Sequence, residues 1–334
     1  MLYSPANSGS SLPGIVLYPI QKKPTNRFDV VNTSHKKNKV PVIITADVDY
    51  SKHHAQDDKC RAFDRLIEAT GHLGIKTTFF FVAREAEQVP QYPKALAEAG
   101  HDVGCHGLTH SDEEEYDSMP VAKQKEYLRQ ATDIISGLAG QKTVSFRAPR
   151  VKISSTAYGV LSEEGFIVDS SVCSQRFDLV SSNLFHYGWL RAPRTPYHPS
   201  KDSAFRRGDM DILVVPVSAM AAPFISSATY VLGPGIMKLF FRILLAESRR
   251  TGKPIVYLYH PYEFAAEIPG AKDYGRNVRV HGFRFRRHLF RGTPDERFDW
   301  TVQMLEYMAS FDDVEFMTMR QYALQHAEFG DGNQ

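Results

Sequence analysis

The chain has 334 residues, 43% hydrophobic and 23% charged, the make-up of a soluble globular protein long enough to bury a full core. Lys plus Arg number 40 and Asp plus Glu 38, a formal net charge of +2, so no bulk charge draws the chain to nucleic acid and any anion must be held by a local patch. Three scattered cysteines, Cys60, Cys105 and Cys173, argue against a disulfide framework or a cysteine-based zinc knuckle, and favour a reducing compartment.

The start, Met1-Leu2-Tyr3-Ser4-Pro5, lacks the basic, apolar and cleavage-site pattern of an export signal, which predicts a cytoplasmic protein. Residues 1–39, rich in Ser, Pro, Asn and Lys, read as an N-terminal extension; their apolar piece, 15–20, can form a peripheral strand. Regular patterning begins at Val40. Apolar, β-branched runs predict strands over 40–45, 76–82, 101–105, 144–146, 166–169, 211–217, 255–259 and 314–318. Helical spacing falls between them, over 57–73, 92–99, 119–139, 154–164, 236–250, 295–311 and 320–328. Two sections, 173–210 and 264–292, show little periodicity and read as loop insertions. Strand and helix alternating about seven times predict an α/β fold with a parallel sheet. No Gly-x-Gly-x-x-Gly follows the first strand, so a dinucleotide fold is unsupported. The polar, chemistry-bearing residues follow strand ends, which favours a distorted, incomplete β/α barrel over an open sheet. That domain spans 40–330.

His106 and His110 stand four apart after a strand, so both can turn toward one ion. Spacing alone fits two surface histidines as well. Asp47 and Asp49 end the first strand, and residues two apart in a strand share a face. Two carboxylates that close repel unless a cation intervenes or one is protonated, which suggests one metal ligand and one base; a plain turn after a strand is the rival reading. His53 and His54 read as exposed loop residues. Arg147, in Phe-Arg-Ala-Pro-Arg, suits a forked bond to a carboxylate. His260, in Tyr-Leu-Tyr-His-Pro-Tyr-Glu, suits proton donation to a leaving amine.

These stretches, Thr-Ala-Asp-Val-Asp, His-Gly-Leu-Thr-His, Phe-Arg-Ala-Pro-Arg and Leu-Tyr-His-Pro-Tyr-Glu, in that order, resemble the polysaccharide deacetylases, the NodB-homology enzymes of carbohydrate esterase family four. The resemblance covers about residues 40–265, and more faintly the stretch to 326. It implies metal-dependent removal of an N-acetyl group from an amino sugar in a polysaccharide or its lipid- or nucleotide-linked precursor, as in surface polysaccharide or lipopolysaccharide biosynthesis. By position it implies Asp47 as base, Asp49, His106 and His110 as ligands of one divalent ion such as Zn²⁺, Arg147 as the holder of the base, His260 as acid, and the backbone N–H of Arg150 at the oxyanion. The chain departs from the family pattern in three places. Asp-Val-Asp replaces the usual adjacent pair. The glycine after the third motif is missing. The aspartate and tryptophan of the fourth motif are not evident, Asp169-Ser170-Ser171 being a loose counterpart. A deformylase or another C–N amidohydrolase on the same fold, and an inactive sugar-binding module, remain alternatives. A carbohydrate is the implied partner. The arginines 276, 279, 284, 286, 287 and 291, interleaved with Phe283, Phe285 and Phe290, offer an anion patch or a solvated face; the helix over 236–245 offers a peripheral membrane contact or a buried crossover.

Overall fold

The computed structural model describes residues 39–49, 54–175, 187–266, 279–280, 283–284 and 290–330. The N-terminal extension, including the strand expected over 15–20, and His53 lie outside the described residues, as do Arg276, Phe285, Arg286 and Arg287.

Eight strands form one sheet: β1 (Val40–Val48), β2 (Thr77–Phe81), β3 (Asp102–Cys105), β4 (Ser145–Phe146), β5 (Val168–Asp169), β6 (Leu213–Val214), β7 (Ile255–Tyr259) and β8 (Val314–Phe316). Their order is β7-β1-β2-β3-β4-β5-β6, and β8 pairs with β1. Every pairing is parallel, and the sheet curls into a half-barrel, the incomplete barrel that the strand pattern predicts. β7 and β8 share one edge of β1 in tandem: β8 takes Val40 to Val42 and β7 takes Val42 to Ala46. Between the outer strands β6 and β7 the chain substitutes irregular backbone. Ser218 N donates to Val256 O at 3.3 Å, Val256 N to Ser218 Oγ at 3.0 Å, and Leu258 N to Phe224 O at 3.3 Å.

The apolar runs become strands because both faces of this sheet are covered. Val42, Ile43, Ile44, Ala46 and Val48 of β1 are fully buried, as are Phe79, Phe80 and Phe81 of β2. Outer helices bury one stripe each. The helix Gln56–His72 buries Ala62, Phe63 and Leu66; Val121–Ala139 buries Leu128, Ala131 and Ile135 and ends at Gly140. Pro294–Ala309 opens with a capping box in which Thr293 and Glu296 satisfy each other's backbone N–H.

The structure corrects several sequence expectations. The loops expected over 173–210 contain the helix Tyr187–Arg191 and an antiparallel ribbon, Pro199–Ser200 with Ser203–Arg207. The ribbon can form because Gly208 lies against Ser200, whose Cα would stand 2.4 Å from a Cβ there. His54, expected exposed, is buried, with its ring 6.2 Å from that of Tyr262. In the 264–292 section Phe290 packs on Tyr230 and Arg291 donates to Val231 O at 2.9 Å, so these two residues dock on the helix Ser226–Leu232. The helix over 236–245 lies within Pro234–Thr251; it buries Met237, Phe241, Leu244 and Leu245 and leaves Ile236, Leu239 and Ile243 exposed. Among the described residues no helix is long and apolar enough to cross a membrane.

Candidate metal centre and active site

The carboxyl ends of neighbouring parallel strands converge where the sheet curls. Asp47 sits in the last turn of pleat of β1 and Asp49 just beyond it. His106 follows β3, Arg147 follows β4, Ser170 and Ser171 follow β5, and His260 follows β7. Seven residues from five separate stretches of the sequence thus reach one place because their strands are adjacent or nearly so.

Asp47 is buried. Its Oδ1 accepts from Arg147 Nη1 at 2.7 Å, and its Oδ2 lies 3.9 Å from His106 Nε2. Arg147 is fully buried and its donors are widely used. Nη1 also reaches Thr45 Oγ1 at 3.1 Å, Nε donates to Ser170 O at 2.9 Å, and Nη2 to Ser170 Oγ at 2.9 Å. The guanidinium lies 4.5 Å over the Phe80 ring. Burial works against a charge on Asp47, but Arg147, His106 and His260 outweigh it and hold the carboxyl below its ordinary range.

His106 Nδ1 lies 2.8 Å from the Arg147 carbonyl. A carbonyl only accepts, so Nδ1 carries the proton and the Nε2 lone pair faces the site. Asp49 Oδ2 lies 3.9 Å from His110 Nε2. Asp49, His106 and His110 each offer one ligand atom, all within 4.8 Å of one another. Burial depresses both imidazoles, His110 to about 3 with help from His106 and Arg150, so both rings are neutral with a lone pair to give. Two neutral imidazole nitrogens and one carboxylate oxygen suit a divalent ion of the zinc type.

His260 is half-buried, and desolvation alone would lower it. Glu263, 3.5 Å from its Nδ1, acts with Asp49 and Asp47 to push it up to about 9. Glu263 is in turn seated by Ser226 Oγ at 2.5 Å and Tyr230 OH at 3.1 Å. Sequence reasoning left this partner unassigned, although Glu263 stands only three residues on, inside the same motif. Asp169-Ser170-Ser171 does a different job. Ser170 anchors Arg147, and Ser171 Oγ accepts from Ala148 N at 2.8 Å. Burial pushes Asp169 up to about 6 despite bonds from Ser171 and Tyr158.

Two further features were hidden in the sequence. Glu114 lies in an acidic run, Asp112-Glu113-Glu114-Glu115, yet it is completely buried and accepts from the backbone of the histidine loop. Arg150 and Val151 have φ of 55° and 52°, left-handed values where the family's third motif would be followed by glycine. For a β-branched residue that conformation costs about 1–2 kcal/mol. The Arg150 side chain turns back to the histidine loop, donating to Ser111 O at 2.6 Å.

Residues 35–168 match the family model for polysaccharide deacetylase. That stretch holds Asp47, Asp49, His106, His110, Arg147 and Arg150; His260 lies outside it. A peptidoglycan deacetylase-like protein of Gibberella zeae is 29% identical over 110 residues, covering 32% of this chain and 32% of that protein. A peptidoglycan deacetylase of Helicobacter pylori is 26% identical over 113 residues, covering 34% of this chain and 38% of that protein. The matched stretch therefore spans under two-fifths of the length of either relative. The solved structure of PuuE allantoinase shares the fold, with a TM-score of 0.57 at 15% identity over 88% of this chain and 92% of its own.

Proposed function

We propose that the chain, whose residues 35–168 match the family model for polysaccharide deacetylase, hydrolyses the N-acetyl group of an amino sugar, with one divalent ion, Zn²⁺, held by Asp49, His106 and His110. The substrate class is a polysaccharide or its lipid- or nucleotide-linked precursor. One observation carries the reading. Asp47 has one oxygen tied to Arg147 and the other turned toward His106, beside the three ligand atoms. A carboxylate so placed is oriented as a base.

When bound, the ion would acidify a water and polarise the amide carbonyl. Asp47, kept ionised by Arg147, accepts the proton of that water as its oxygen attacks the carbonyl carbon. The N–H of Arg150, fixed by the left-handed turn, donates to the oxygen on which charge develops. His260, charged through Glu263, then passes its proton to the departing nitrogen as the C–N bond breaks. Acetate and a free amino sugar result.

The test is acetate release from N-acetylglucosamine oligomers and from a nucleotide-linked N-acetyl amino sugar, with Zn²⁺ supplied. Asp47→Asn should still bind one Zn²⁺ while its turnover falls about 10²- to 10⁴-fold. A variant that keeps the native rate removes Asp47 from the role. Formate in place of acetate, released from an N-formyl substrate alone, identifies the deformylase alternative.

A further inference from the structure

The loop that carries both histidines has no regular structure of its own. His106 lies at the end of β3, but Leu108, Thr109 and His110 run on as irregular backbone. Their N–H groups converge on one carboxylate. Glu114 Oε1 accepts from Leu108 N at 2.6 Å, and Oε2 from Thr109 N at 2.7 Å and His110 N at 2.8 Å. Thr109 Oγ1 adds a bond at 2.9 Å to Oε2, and Tyr116 OH one at 3.1 Å to Oε1. The carboxylate is thus enclosed by donors from the loop it holds.

His110 needs such a hold. Its φ is 57°, a left-handed value that few non-glycine residues take, although histidine takes it more often than most. Relaxation to negative φ would swing the imidazole away from Asp49 and His106. The bond from His110 N to Glu114 fixes the peptide that enters the turn, while Arg150, donating to His110 O at 3.4 Å and Ser111 O at 2.6 Å, holds the backbone that leaves it, so the two together oppose that relaxation. Gly107, at φ 84°, leaves the carboxylate its room: a Cβ there would stand 2.5 Å from Glu114 Oε1.

We propose that Glu114 is a positioning residue for metal binding: it draws three successive backbone N–H groups onto one buried carboxylate and so holds His110 in the left-handed turn that completes the ligand set. The inference rests on the assignment of Asp49, His106 and His110 as ligands. It extends that assignment from the residues that touch the ion to the one that shapes the loop.

The experiment uses the full chain stripped of metal with a chelator. Zn²⁺ affinity is measured by competition titration, and Co²⁺ serves as a second probe through its visible absorption. Glu114→Gln keeps size but puts an amide NH₂ against backbone donors. It should weaken Zn²⁺ binding about 10- to 100-fold, the usual effect of disturbing a partner behind the ligands, and dim the Co²⁺ bands. Thr109→Val keeps the carboxylate and removes one donor, and should weaken binding about twofold to fivefold. Ile135→Val, which loosens packing in the outer helix, should leave the affinity unchanged. Native affinity in Glu114→Gln overturns the proposal, as does native affinity in Thr109→Val should the first variant not fold. Equal weakening by Ile135→Val overturns it too, because any loss of stability would then suffice. A native chain that binds neither Zn²⁺ nor Co²⁺ defeats the ligand assignment itself, a failure distinct from the others.

Discussion

Replacing Arg147 with Met tests how the centre tolerates its buried charge. Met fills a similar length of side chain but supplies no positive charge and no donors. In the native protein Asp47 and Arg147 are 2.7 Å apart, with side-chain exposures of 5% and 0%. Removing one partner of so buried a pair leaves the other charge unpaired, a loss of about 3–5 kcal/mol. Set against a total stability of about 5–15 kcal/mol, that is a large fraction. It corresponds to a fall in Tm of roughly 5–8 °C for a domain of this size. The loss should depend on pH in a defined sense. In the native protein Asp47 titrates below its ordinary 3.8, so its ionisation adds stability above that pH, lost only as pH falls through the folded value. Without Arg147, burial, the largest single influence on Asp47, raises the folded value, and the contribution reverses: present below 3.8, lost as pH rises through the new folded value. The gap between native and Arg147→Met should therefore widen as pH rises above 3.8. Urea unfolding of the metal-free proteins measures it. Asp47→Asn with Arg147→Met should recover about 1–3 kcal/mol relative to the sum of the singles. A gap under about 1 kcal/mol at pH 7.5, or strict additivity, would show that the pair is not held by its charges.

Two more perturbations follow from the geometry. Glu263→Gln removes a charge that helps push His260 up to about 9. Activity that needs the imidazolium is lost as pH rises through that value, so the alkaline limb of kcat/KM should move toward acid by about one unit or more; an unmoved limb shows that His260 is not the acid. Gly107→Ala places a methyl 2.5 Å from Glu114 Oε1 and 2.8 Å from Pro149 Cγ at φ 84°. Urea unfolding should register a loss of about 2–4 kcal/mol, and a change under about 0.5 kcal/mol would mean that the loop moves aside freely.

The barrel was legible because its strands are covered on both faces, which leaves unbroken apolar runs such as Val42-Ile43-Ile44 and Phe79-Phe80-Phe81. The residues of the centre were legible because they stand at or just past strand ends, where Asp, His and Arg stand out against the apolar runs before them. What escaped was decided by contacts between distant segments. Glu113, Glu114 and Glu115 are indistinguishable in sequence; only the path of the histidine loop selects the middle one for burial. Glu263 stood in the quoted motif, but its link to His260 depends on Ser226 and Tyr230 from another helix. The exposed reading of His54 failed for the same reason, since Tyr262 approaches it from beyond β7. The strands β4, β5 and β6 are each only two residues long, shorter than their apolar patterns suggest.

The Asp-Val-Asp spacing now has a physical meaning. Adjacent residues in a strand point to opposite faces, whereas residues two apart share a face and are separated by about 6–7 Å along the strand. Asp47 and Asp49 therefore enter the same cleft at different depths. The inner one meets Arg147, whose guanidinium is pinned from β5 by Ser170; the outer one comes within reach of His110 on the loop after β3. Asp47 has the Arg147 charge beside it and Asp49 has the charged His260 near it, so neither must take up a proton to relieve the other. The side-chain exposures, 5% for Asp47 and 18% for Asp49, follow the same order of depth. A division of labour between proposed base and proposed ligand thus arises from strand periodicity alone. It does not require the two carboxylates to differ in kind, only in how far along one strand each stands.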